Sequence, residues 1–323
     1  MPFLFDDVTA ALTALGAASY DKLQLLDASV LLAERFPHLD PNGPALVLNC
    51  HLSDLPVLRD RLLQVYPPAH PVQMLEGAVS PSTLETLAEH EAKTVYLPPL
   101  PRPGSYAALQ DIVARLRAPD GCPWDRALNW EKLRPSLLEE AYELLAGLDE
   151  LDFRKISEEQ GDLLLQVAMQ AQIATEEGRF RFPEVIAHIV EKLVRRHPHV
   201  FGEVEVSGTD EVLANWEAIK AAERAKNGEK KSPLGGVPAG LPALAQAEAY
   251  LDRMSRLRTT PPPAQPWAQL AALGPEETIS SDEFGQALFE LVAWALARGI
   301  ESESALRAAN RRFAEQVARE QVE

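Results

Sequence analysis

Apolar positions along the chain follow different spacings in successive stretches. Up to about residue 100, short apolar runs alternate with helical spacing. Ala45–Asn49 (ALVLN), Val72–Leu75 (VQML) and Thr94–Leu97 (TVYL) predict strands, and Leu55–Leu63 predicts a helix between the first two. From Ser105 to about Asn227 the spacing is helical throughout. It predicts helices over Ser105–Leu116, Arg134–Leu148, Phe153–Glu177, Pro183–Arg196 and Trp216–Ala225, with a turn at Ala118–Pro123 (APDGCP) after the first. Helical spacing returns over Leu241–Leu257, Asp282–Arg298 and Glu301–Glu320, with a proline-laden break at Pro261–Pro266.

Two stretches belong to neither pattern. Pro98–Gly104 (PPLPRPG) carries too many prolines for an element interior, and Asn227–Gly240 (NGEKKSPLGGVPAG) is rich in Gly, Pro and Lys. They predict a small α/β region over residues 1–100, a helical domain over 105–227 and a second helical domain over 241–323. The expected fold class is therefore mainly α.

Composition narrows the chemistry. The chain has 323 residues, of which 46% are hydrophobic, enough to bury ordinary globular cores. No apolar run approaches the roughly 18–20 residues that span a bilayer, and the start, MPFLFDDVTAALTALG, lacks the basic region of a secretory signal. The two cysteines, Cys50 and Cys122, have neither ligand spacing nor the number for a disulfide framework, which predicts a reducing cytoplasm. With no spanning run a membrane partner is not expected, and a net charge of −17 argues against a general nucleic-acid partner. An acidic protein still binds a polyphosphate when metal ions and a local basic patch neutralise it.

Acidic pairs at helical spacing carry that possibility. Glu139, Glu140 and Glu143 lie on one expected helix, and Glu159 and Asp162 on the next. Residues three or four apart share a helix face, so Glu140 with Glu143 and Glu159 with Asp162 each point one way. Apolar residues on both helices (Leu137, Leu138, Tyr142, Leu145 and Leu148; Leu163, Leu164, Val167, Met169 and Ile173) are expected to pack the pair together. Converging carboxylates repel unless a cation sits among them, and hard oxygen ligands favour Mg²⁺ or Mn²⁺ over zinc. The bland alternative is that these are solvent-facing glutamates on amphipathic helices. Lys192, Arg195 and Arg196 share a face of a later helix and form a local basic patch suited to phosphate. Cations at a helix C-terminus are also common for the macrodipole alone. Trp124, just after a turn, either stacks on a base or anchors its loop.

Five pieces in order closely resemble the MazG family of nucleoside triphosphate pyrophosphohydrolases. They are Leu116–Asp125 (LRAPDGCPWD), Leu137–Glu143 (LLEEAYE), Glu159–Val167 (EQGDLLLQV), Glu177–Phe180 (EGRF) and Arg195–Phe201 (RRHPHVF). The resemblance implies an all-α, usually dimeric enzyme that uses Mg²⁺ to hydrolyse nucleoside triphosphates between the α- and β-phosphates. It implies Glu140, Glu143, Glu159 and Asp162 as metal ligands. Glu139 would lie behind them and orient or deprotonate the attacking water, with Trp124, Lys192, Arg195 and Arg196 on the substrate.

Departures from the family pattern are equally readable. Leu128, Asn129 and Trp130 stand where a Gln-Thr-His run is usual, so base preference stays open. Residues 232–250 and Asp282–Phe313, with Asn310 and Phe313, resemble the start and end of a second such domain. Its acid motif is eroded: Glu283-Phe284-Gly285-Gln286 has an amide in place of Asp, and no first acidic helix is recognisable across Thr259–Ser281. A structural role is expected there. Residues 1–100 faintly resemble the later half of a tetrapyrrole-methylase-like domain, through Leu23–Ala33, Leu62–Pro67 and Thr94–Pro99. The glycine-rich early strand-loop is absent, so methyl transfer is not expected. A non-catalytic nucleotide-binding or regulatory module is the alternative to the enzyme.

Overall fold

The computed structural model describes residues 5–16, 21–76, 78–89, 92–226, 237–256 and 279–320. Most of the expected Asn227–Gly240 linker, the Pro261–Pro266 break and nearly all of Thr259–Ser281 lie outside them. The described chain is mainly helical with one small mixed sheet. Among the described residues no helix is long and apolar enough to cross a membrane. Two compact units emerge, Met1–Glu140 with Gln160–Phe182, and Ala141–Glu159 with Pro183–Glu323.

The first unit begins with α1 (Phe5–Ala14) and a five-stranded sheet in the order β1-β2-β5-β3-β4. β1 (Gln24–Asp27) and β2 (Ala45–Leu48) run parallel, while β3 (Pro71–Glu76), β4 (Ala78–Thr83) and β5 (Thr94–Leu97) join antiparallel. All four residues of β2 are buried, as a continuous apolar run in a covered strand requires. β4 sits at the sheet edge, where Pro81 costs no ladder hydrogen bond between neighbours on both sides. Asp27 ends β1 and caps α2 (Ala28–Ala33) by accepting from the Ser29 amide at 2.9 Å. α3 (Leu55–Leu62) has Pro56 in its first turn and buries Leu55, Leu58 and Leu62 against the sheet core of Val47, Val72, Met74, Val95 and Leu97.

The proline-rich Pro98–Gly104 stretch is fastened at Asn42, whose Oδ1 accepts from the Gly104 amide at 2.9 Å and whose Nδ2 donates to Ser105 Oγ at 2.8 Å. Ser105 in turn caps α4 (Tyr106–Arg117), accepting from the Ala108 amide at 3.2 Å. After α4 the chain doubles back. A Cβ on Gly121 would come 2.3 Å from the Leu116 carbonyl oxygen, so only glycine fits this turn. The one-turn α5 (Pro123–Arg126) follows, then α6 (Leu133–Glu150) and α7 (Phe153–Glu176). Val113, Leu133, Ala168, Met169, Ala171, Ile173 and Phe182 form a second core in this unit.

The second unit contains the turn that joins α6 to α7. Leu151 takes a left-handed φ of 53°, the Asp152 amide returns to the Gly147 carbonyl at 3.1 Å, and Asp152 caps α7 through the Arg154 and Lys155 amides, each at 3.1 Å. Gly147 is buried, and a Cβ there would sit 3.3 Å from Ile156, so the two helices approach closely at this end. Beyond it come α8 (Phe182–Arg196), the short α9 (Pro198–Phe201) and α10 (Thr209–Lys226). α11 (Ala243–Arg256) and α12 (Ser281–Leu296) share a core of Leu251, Val292 and Ala293, and α13 (Ser302–Glu320) follows. Arg307 and Arg311 of α13 pair with Asp149 at 2.9 Å and Glu150 at 2.7 Å, at the end of α6.

The apolar residues expected to join α6 to α7 are largely uncovered. Leu137, Leu138, Tyr142, Leu145 and Leu148 of α6 and Leu164 and Val167 of α7 are all exposed. α8 shows the same: Ile186, Ile189, Val190, Leu193 and Val194, at helical spacing, are each 40–51% exposed.

Candidate metal centre and the basic end of α8

α6 brings Glu139, Glu140 and Glu143 onto successive positions, and α7 brings Glu159 and Asp162. Glu140, Glu159 and Asp162 gather: each offers a carboxylate oxygen, and these oxygens lie within 4.8 Å of one another. Glu140 and Glu159 are partly buried, and Asp162 is open to solvent. Glu143, one turn beyond Glu140, and Glu139 are exposed and stand outside that group. Three carboxylates so close form a group that could hold a cation. An all-oxygen set without His or Cys fits a hard divalent ion.

The expected cations are placed in the last turns of α8. Lys192 is exposed, whereas Arg195 and Arg196 converge on a single carboxylate from α10. Arg195 Nε donates to Glu223 Oε1 at 2.8 Å. Arg196 donates from Nη2 to Oε2 at 2.6 Å and from Nε to both oxygens at 3.2–3.3 Å. The hydrogen bond from Arg196 holds the Glu223 carboxyl down at about 2, and Glu223 raises the Arg196 guanidinium in return. Glu223 lies on the helix whose charged, amphipathic pattern was legible, but its partners are 27 and 28 residues away, beyond any local spacing rule.

Trp124 is 70% exposed at the start of α5, so its ring is not an anchor for its own loop. Its loop is held by others. Arg117 Nη1 donates to the Asp125 carbonyl at 2.6 Å, Leu128 packs on the second core, and Trp130 Nε1 donates to Glu177 at 3.0 Å. Asn129 accepts from the Lys132 amide at 3.0 Å. The three positions that depart from the family run thus hold the loop in place. His197 sits against the Leu193 carbonyl at 2.7 Å and faces His199, a packing arrangement just after α8.

Residues 129–201 match the profile described as the MazG nucleotide pyrophosphohydrolase domain. A Thermotoga maritima protein named nucleoside triphosphate pyrophosphohydrolase/pyrophosphatase MazG is 38% identical over 219 residues, which cover 65% of this chain and 83% of that protein. The chain belongs to the MazG family. A nucleoside triphosphate pyrophosphohydrolase of Escherichia coli K12 is also 38% identical, over 64% of this chain and 82% of its own length. The uncharacterised YabN of Bacillus subtilis is 45% identical over 50% of this chain, a match that spans 33% of YabN. The MazG profile covers α6, α7 and α8 together, and so contains both the carboxylate group and the α8 cations.

Proposed function

We propose that this MazG chain is a Mg²⁺-dependent nucleoside triphosphate pyrophosphohydrolase, with Mn²⁺ an acceptable substitute. The observation that carries the reading is the convergence of Glu140, Glu159 and Asp162. Glu143 joins them as a fourth ligand by turning its exposed side chain along α6. When bound, the ion supplies Lewis acidity and neutralises phosphate charge. Glu139 orients a water for attack on the α-phosphorus and accepts its proton. The bond between that phosphorus and the oxygen bridging to the β-phosphorus breaks, releasing nucleoside monophosphate and pyrophosphate. Lys192, Arg195 and Arg196 hold the triphosphate, and Trp124 offers an exposed ring on which a base can stack. Catalysis is then positioning and electrostatics rather than covalent chemistry.

Roles are assigned by the division expected from the sequence. Residues 105–227 carry the reaction, 241–323 act structurally, and 1–100 form a separate α/β region. The exposed apolar stripe of α8 supports a homodimer, because a row of half-exposed Ile, Val and Leu side chains gains stability when a second copy covers it. Nucleotide-pool house-cleaning in the cytoplasm, without membrane or general nucleic-acid partners, is the role that suits this activity and the acidic chain.

Incubating the full chain with a panel of nucleoside and deoxynucleoside triphosphates, with Mg²⁺ and with EDTA, tests the reading. Monophosphate and pyrophosphate, both lost in EDTA, are expected. Diphosphate plus phosphate would displace the assigned cleavage, and a folded protein without turnover would favour a nucleotide-binding module.

A further inference from the structure

Glu223 holds two cations that the proposed function assigns to substrate. We infer that it is a built-in competitor for the triphosphate: its carboxylate occupies Arg195 and Arg196 in the empty protein and must be displaced when substrate binds. The inference rests on the reading that these arginines grip phosphate.

The geometry supports exchange rather than permanent cross-linking. A guanidinium fork accepts a carboxylate and a phosphate with the same two-bond geometry. Arg196 and Glu223 are 22% and 19% exposed, so an incoming anion reaches the pair from solvent without unpacking a core. Arg195 is 54% exposed and contributes one bond from Nε. A single carboxylate carries one negative charge against the several of a triphosphate, so substrate prevails in the exchange. Monophosphate, with fewer charges, competes less well. Glu223 thus sets an affinity threshold that favours triphosphate binding and lets product leave. It is a positioning residue, acting through the two arginines. Once displaced, its side chain keeps a cationic neighbour within a helical turn in Lys220, which already pairs with Glu217 at 3.1 Å.

Glu223→Gln removes the charge and keeps the shape. It is expected to lower KM for nucleoside triphosphates about two- to fivefold, the order of a charged pair within reach of solvent, with a much smaller change in kcat. Inorganic tripolyphosphate, titrated calorimetrically in Mg²⁺, should bind tighter by the same factor, which removes any role of the base. Glu223→Asp, which restores the charge, should return both readings toward the original protein, and Glu223→Ala should repeat the direction of Gln. A brace that merely holds α10 to α8 gives the opposite sign: KM rises and tripolyphosphate binding weakens in Glu223→Gln. That outcome, or unchanged tripolyphosphate affinity, overturns the inference. Arg196→Ala and Arg195→Ala separate it from the reading beneath. If neither weakens tripolyphosphate binding, the phosphate assignment itself has failed. If both do while Glu223→Gln does not tighten it, only the competitor role has failed.

Discussion

Arg117 and Glu176, 59 residues apart, meet in a two-bond fork: Nε to Oε1 at 2.9 Å and Nη2 to Oε2 at 2.6 Å. The Arg117 side chain is 8% exposed, and its remaining Nη1 donates to the Asp125 carbonyl at 2.6 Å. One guanidinium thereby ties the end of α4, the α5 loop and the end of α7. Arg117→Ala removes these bonds and leaves a carbonyl and a carboxylate without their donor. A loss of about 1–3 kcal/mol is expected, read as a lowered midpoint in urea unfolding. Unchanged stability would mean that water replaces the guanidinium at no cost.

The same pair makes a prediction in acid. The Arg117 hydrogen bond holds Glu176 below its ordinary value of 4.5. Its stabilisation is therefore fully present above about 4.5 and fades as pH falls through the lowered folded value. Arg117→Ala should cost most near neutrality and progressively less below pH 4.5, since the unfolded carboxyl is protonated there first. A difference between the two proteins that stays constant from neutral pH into this range would assign the stabilisation to packing.

Glu140 is the α6 member of the carboxylate group. Glu140→Gln keeps the volume and removes the charge, so helix content should be unchanged while metal-dependent hydrolysis falls at least about a hundredfold, as loss of metal charge stabilisation requires. Circular dichroism and product chromatography check the two halves separately. Turnover equal to the original protein would remove Glu140 from the proposed ligand set.

How much of this was legible depended on length and locality. α6, α7 and α8 were readable because the helical period of apolar residues runs through each of them, and their ends fall within a residue or two of expectation. β1 escaped because QLLD is four residues without alternation, and β4 because Pro81 reads as a break except on an edge strand. α10 begins at Thr209, seven residues before the expected Trp216, its early turns carrying Asp210 and Glu211 rather than an apolar face. The acidic spacing indicated four converging carboxylates, whereas Glu140, Glu159 and Asp162 form the gathered set. Spacing fixes which face of a helix a residue takes but not the rotamer of a long side chain, so it does not tell which acids of one face gather. Long-range pairs such as Arg196 with Glu223 have no local signature at all.

Val190 lies mid-stripe on α8 and is 51% exposed. If the stripe is covered by a second copy, Val190→Lys places a charge in an apolar contact, where burial without a partner is costly. Light scattering should then report dimers for the original chain and monomers for the variant. An original chain that is already monomeric at micromolar concentration would remove the homodimer from the proposal.

The C-terminal domain allows the sharpest separation of structure from chemistry. Glu283, the surviving acid of the eroded motif, is engaged in a capping box: it accepts from the Ser280 amide at 2.9 Å while Ser280 Oγ accepts from the Glu283 amide at 3.2 Å. Gln286, in the place of the missing Asp, donates to Glu290 at 3.1 Å on an exposed face. Both side chains therefore serve α12 itself. Gln286→Ala should leave turnover and stability nearly unchanged, because an exposed amide bond to a neighbouring carboxylate adds little over water. Ser280→Ala should cost about 1 kcal/mol and still leave kcat intact. Loss of turnover in folded Gln286→Ala would instead make this domain a participant in the reaction.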